Sequence, residues 1–164
     1  MSRRTLAVAA AALAVAVALG LWRPWREPPG DEERIVALFL DAARAVEEKR
    51  VGDAVEAVSE RYRGEGQDRR GVKQLVAAQV LRGEWVSVTV AGTRVKLEGD
   101  AAEAVVDVVL ARSGKGARLA DLLPEQASAN RLTCRLEREA GDWRVVSAAR
   151  RPISLGEALA GPQP

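Results

Sequence analysis

Thr5 to Trp22 is a run of eighteen residues without a charge, and nothing in it alternates between apolar and polar positions. At about 1.5 Å per residue, a helix of that length spans roughly 27 Å, close to the hydrocarbon thickness of a bilayer. Ser2-Arg3-Arg4 precedes the run and Arg23-Pro24-Trp25-Arg26 follows it, with Trp22 and Trp25 where interfacial aromatics sit. The pattern predicts a transmembrane helix or signal anchor over residues 1–22, with the membrane contact made through residues 5–22. The competing reading is a signal peptide cut after Ala16-Val17-Ala18 or Ala18-Leu19-Gly20, which would release a secreted domain. Flanking positive charge favours the N-terminus inside. The expectation is a single-pass protein of the cell membrane whose domain faces the periplasm or the outside. Residues 23–30, with Pro28-Pro29-Gly30, make a short stiff linker.

From Asp31 the apolar period becomes helical. Ile35, Leu38, Phe39, Ala42 and Val46 share one face, with Asp31 as the expected cap and Gly52 as the stop. A second, shorter helix is expected from Asp53, with Glu56 completing a capping-box-like pair, Val55 and Val58 inward, and an end before Gly64. A third follows Asp68, its stripe being Val72, Leu75, Val76, Gln79 and Val80. After Gly83 the period drops to two. Val86, Val88 and Val90 alternate with polar residues, Gly92 interrupts, and Val95 and Leu97 resume, as in a bent or bulged strand. Ala104 to Leu110 is almost wholly apolar, which predicts a strand covered on both faces. Leu132, Cys134 and Leu136 alternate again, and Gly141-Asp142 turns the chain into a last strand from Trp143 to Ala149. Residues 113–127 read as a long connection and 152–164 as a loose tail. The order predicts an α+β domain over 31–151, with three helices on one face of an antiparallel sheet of about four strands.

Charge changes this picture little. The net charge of +2 comes from Arg3, Arg4, Arg23 and Arg26. From Asp31 onward acidic residues outnumber basic ones by one, so the domain has no electrostatic footprint for nucleic acid. One cysteine permits no internal disulfide. The absence of histidine removes Ser-His-Asp and Cys-His catalysis and nearly all catalytic zinc sites, and no metal or other cofactor is expected.

Three features resemble the nuclear-transport-factor-2-like superfamily, which includes the SnoaL-like and ketosteroid-isomerase-like proteins. A long helix leads into the Val51–Tyr62 segment, a third helix runs straight into a bent strand pair, and the closing hairpin Arg135–Ser147 carries Gly141-Asp142-Trp143-Arg144-Val145. The likeness covers residues 31–150. It implies a curved sheet wrapped around the helices as a cone, open at one end. Members of the superfamily include isomerases, dehydratases and cyclases as well as non-enzymatic binding domains, and sheet-face homodimers are common among them. A membrane helix ahead of such a domain also looks like accessory membrane proteins of bacterial transport or envelope assemblies.

Enzymes of the resembled superfamily place a carboxylate in the cone, often beside a histidine, tyrosine or tryptophan. Asp107, alone among valines, is the candidate base; the competing reading pairs it with an arginine on a neighbouring strand. Tyr62 and Trp85 are the candidate ligand-binding partners, Trp143 is assigned to the core, and Cys134 reads as a buried inert thiol. Two functions follow. The first is a membrane-tethered interaction domain without catalysis, for an envelope protein or a small apolar ligand. The second is a small isomerase- or dehydratase-type enzyme using Asp107 with Tyr62.

Overall fold

The computed structural model describes residues 28–82, 87–112 and 127–162. The apolar N-terminal segment, Trp85 and most of the 113–127 connection lie outside them. Among the described residues, no helix is long and apolar enough to cross a membrane.

Helix α1 spans Asp31–Glu47. Asp31, Glu32 and Glu33 occupy its first turn, where carboxylates meet the positive end of the helix dipole. Gly30, rather than the expected Asp31, is the N-cap. The Asp31 carboxylate turns instead to Arg138 and to the Trp143 indole N–H. Ile35 and Ala45 are buried on the inner face of α1, with Leu38 and Phe39 packed beside them.

The expected second helix is a single turn, α2, Val51–Ala54. Asp53 pairs with Arg50 instead of opening a capping box. Beyond it the chain straightens, because a sheet edge competes for its backbone groups. Ser59 N–H donates to the Val145 carbonyl (2.9 Å), Val145 N–H to Ala57 (2.8 Å), and Arg63 N–H to Val146 (3.0 Å). Residues 57–63 thus run parallel to the last strand and cover its edge, which would otherwise leave unpaired N–H and C=O groups. Helix α3, Arg69–Arg82, starts where Asp68 Oδ1 accepts the Gly71 N–H at 2.8 Å.

Four strands form an antiparallel meander in the order β1 (Ser87–Glu98), β2 (Ala101–Ala111), β3 (Ala127–Glu139) and β4 (Asp142–Ile153). The register of β1 against β2 shifts between Val90 and Gly92, where the sequence pattern breaks. β2 is covered on both faces, as its composition predicts. Its even-numbered residues Ala102, Ala104 and Val106 face the helices, joined by Cys134 and Leu136 from β3, Val145 from β4, and Ile35 and Tyr62.

The outer face of β2 is covered by an element the sequence reading left out. The expected loose tail contains a helix, α4, Leu155–Ala160, with a full capping box between Ser154 and Glu157. Ala158 packs there on Val109, Ala111 and Ala129, with Leu155 and Ile153 alongside. Helices therefore lie on both faces of the sheet, not on one.

Candidate functional site

Period-2 alternation decides what each candidate can reach. Val106 belongs to the cluster under α1. Asp107, one residue on, therefore points through the opposite, outer face. It is fully buried there and sits opposite Arg131 on β3 and Gly92 on β1. Arg131 meets it with a two-pronged ion pair, Nε to Oδ1 at 2.7 Å and Nη2 to Oδ2 at 2.8 Å, and Nη2 also reaches the Gly161 carbonyl at 3.3 Å. The chain after α4 closes over the pair. A Cβ on Gly92 would lie 2.9 Å from Pro162 Cδ, so only glycine leaves room for that crossing.

Tyr62 lies on the inner face, 6% exposed, within the main core. Its hydroxyl sits against Gly64 and the Ala148 backbone. Burial pushes that hydroxyl above its ordinary pKa, the nearby Cys134 and Glu65 add to the rise, and a backbone hydrogen bond with Ala148 opposes it. The sheet separates Tyr62 from Asp107, so the two do not converge. Trp85, the third candidate, lies outside the described residues. Cys134 is 2% exposed, and burial pushes its thiol up to about 12, which suits an inert core cysteine.

Two polar clusters join segments far apart in the chain. In one, Asp31 accepts from Arg138 and, at 3.1 Å, from Trp143 Nε1, while the Arg138 guanidinium stacks 4.7 Å from the Trp143 ring centre. The Trp143 N–H and then Arg138 hold the Asp31 carboxyl below its usual range. In the other, the buried Ser59 hydroxyl donates to Glu139 Oε1 at 2.7 Å and accepts the Arg61 N–H at 3.0 Å. Arg61 in turn bridges Glu139 and Glu137. Ser59 first, then Arg61, lowers the Glu139 carboxyl. Sequence reasoning missed both, because the segments they join lie 76 to 112 residues apart and no local spacing announces them.

The surface carries an open cleft of about 500 Å³ beside the first cluster, between α1, α2 and the start of β4. Trp143 and Ala45 form its floor, and Asp41, Arg44, Arg50 and Asp53 its rim. The rim charges are paired with each other, Arg44 with Asp41 at 3.2 Å and Arg50 with Asp53. Neither Tyr62 nor Asp107 lines it. Its rim charges are exposed and already paired, which suits recognition of a polar surface more than acid–base chemistry.

A four-stranded meander with a long helix across its inner face, an edge sealed by the following segment and a third helix ahead of a bulged first strand defines an α+β class. Solved structures of that class match the chain. A nuclear-transport-factor-2-like protein from Cytophaga hutchinsonii superposes with a TM-score of 0.56 at 11% identity, over 76% of this chain and 100% of that one. A proposed scytalone dehydratase from Novosphingobium aromaticivorans gives 0.59 at 8% identity, over 76% and 85%. LinA gives 0.55 at 20% identity, over 74% and 84%. No protein-family model matches the sequence, and no curated protein does. The chain has the nuclear-transport-factor-2-like fold. That fold serves enzymes and non-enzymes alike, so function must be argued from the site.

Proposed function

We propose that this chain is a membrane-tethered interaction domain, held outside the cytoplasm by residues 5–22, that binds an envelope protein and catalyses no reaction. The observation that carries the reading is the position of Asp107. The carboxylate expected to serve as base is locked to Arg131 on the outer face, beneath the chain that follows α4. The inner face, where Tyr62 sits, is packed with Ile35, Val106, Cys134 and Leu136, each at most 2% exposed. That packing argues against a small apolar ligand between α1 and the sheet. The cleft over Trp143 is the better contact surface. Arg34, one helical turn on from Gly30, lines it, and the cleft's paired charges suit a polar protein partner.

The test is photo-crosslinking in intact membranes. A photoreactive residue at Asp41, on the cleft rim, yields a discrete protein adduct, and the same residue at Lys96, on the outer sheet face, does not. Equal labelling at both positions, or none at either, refutes the reading. Turnover by the purified chain that is lost in Tyr62→Phe would return the enzyme reading.

A further inference from the structure

Helix α3 is chemically unlike the rest of the domain. Its fourteen residues, RRGVKQLVAAQVLR, contain four cations and no acidic residue, and none of them is buried. Most arginines elsewhere in the described residues sit in ion pairs; in α3 only Arg69 does, with Glu60. The side chains of Arg70, Lys73 and Arg82 have no hydrogen-bond or ion-pair partner among the described residues. Leu75 is 57% exposed and Leu81 86%, the most exposed large apolar side chain described. Leaving two leucines this exposed costs hydrophobic free energy that the fold does not recover.

The arrangement selects the partner. Leu75 and Leu81 are six residues apart, which places them about 120° apart around the helix, with Arg82 between them and Arg70 just beyond Leu81. A protein groove takes a single stripe at spacings of three, four and seven. Two splayed leucines do not make that stripe. A fluid interface needs no fixed complement: each leucine enters the headgroup boundary separately, while Arg70, Lys73 and Arg82 meet anionic lipid.

We propose that the exposed face of α3 docks on an anionic bilayer surface, adding a second membrane contact to the tether. The linker enters at Gly30, and Asp31 is bonded beside the turn between β3 and β4. Helix α3 begins at the opposite end, just after Glu65, which holds the Arg150 N–H late in β4. Trp143 and Arg150, which mark these ends, are seven residues apart along β4, about 23 Å at about 3.3 Å per residue. The linker of residues 23–30 spans roughly 25 Å at about 3.1 Å per residue. The linker is therefore long enough for the anchor and α3 to engage the same bilayer together.

The experiment uses the full chain in vesicles, with Leu81→Cys or Lys96→Cys carrying an environment-sensitive fluorophore. Cys134 stays unlabelled because its thiol is buried and pushed up to about 12. Flotation of the vesicles reports the anchor separately from the helix. In vesicles containing phosphatidylglycerol the label at position 81 shifts to an apolar environment, and 0.5 M salt reverses the shift. In pure phosphatidylcholine it stays wet, and the label at 96 stays wet in both. Replacing Arg70, Lys73 and Arg82 with glutamine lowers the docking equilibrium about fivefold per charge, roughly a hundredfold together. A label at 81 that is equally wet in both lipids overturns the proposal, as does an equal shift in both. Shielding that appears only when an acidic protein is added also overturns it, in favour of a protein partner.

Discussion

Replacing Arg131 with methionine keeps most of the side-chain volume and strands the Asp107 carboxylate beneath the C-terminal segment. Asp107 is fully buried, and both its oxygens are bonded to Arg131. Among the described residues no other hydrogen bond to them is present. Breaking a buried pair by removing one member costs about 3–5 kcal/mol, because the remaining charge has lost its compensation. With a urea m-value of about 2 kcal/mol/M, the unfolding midpoint falls by about 2 M. Asp107→Val costs less, since Arg131 is still 17% exposed and keeps the Gly161 carbonyl within 3.3 Å. The double variant, Asp107→Val with Arg131→Met, returns close to the parent stability, because the pair's desolvation is no longer required. Urea titrations of all four proteins, followed by circular dichroism, close the cycle. An Arg131→Met midpoint within 0.2 M of the parent, or a double variant no better than the worse single one, would refute the placement of Asp107 as a structural partner.

Acid should weaken the domain in a defined window. Asp31 and Glu139 both have folded pKa values below their ordinary ones. Their contribution is therefore complete above the unfolded carboxylate range near 4 and is lost as pH falls through the folded values. Melting temperature drops between pH 5 and pH 3, and Asp31→Asn reduces the drop; identical melts at the two pH values would contradict it. Gly64→Ala places a Cβ 2.4 Å from Tyr62 Oη and 2.7 Å from the Ala148 carbonyl oxygen, an overpacking cost of about 1–3 kcal/mol. Gly52→Ala, with open space around its Cβ, serves as the matched control, and equal midpoints for the two variants would remove Tyr62 from its assigned place.

Much of the fold was legible because it is local. The i, i+3, i+4 stripe of Ile35, Leu38 and Phe39, the break at Gly92, the doubly apolar run of β2 and the turn at Gly141-Asp142 each record their environment in neighbouring residues. The segment after Ala54 departs from the expected helix for an equally physical reason. Its residues fit a helix, and the free edge of β4 offered its backbone a better set of partners. The C-terminal helix gives little periodic signal in six residues, and only the capping box of Ser154 and Glu157 marks it in the chain.

The site divides along the same line. Composition alone settles that no histidine chemistry operates, since no fold can supply a side chain the chain lacks. A lone aspartate among valines was equally visible. Which face of the sheet it used was not, because a one-residue change of register exchanges inside for outside. The register of β2 against β3 put Asp107 opposite Arg131, 24 residues further along the chain, and the chain after α4 then buried the pair. Side-chain identity is a property of the chain, but burial and pairing depend on elements that meet only once the whole domain has folded.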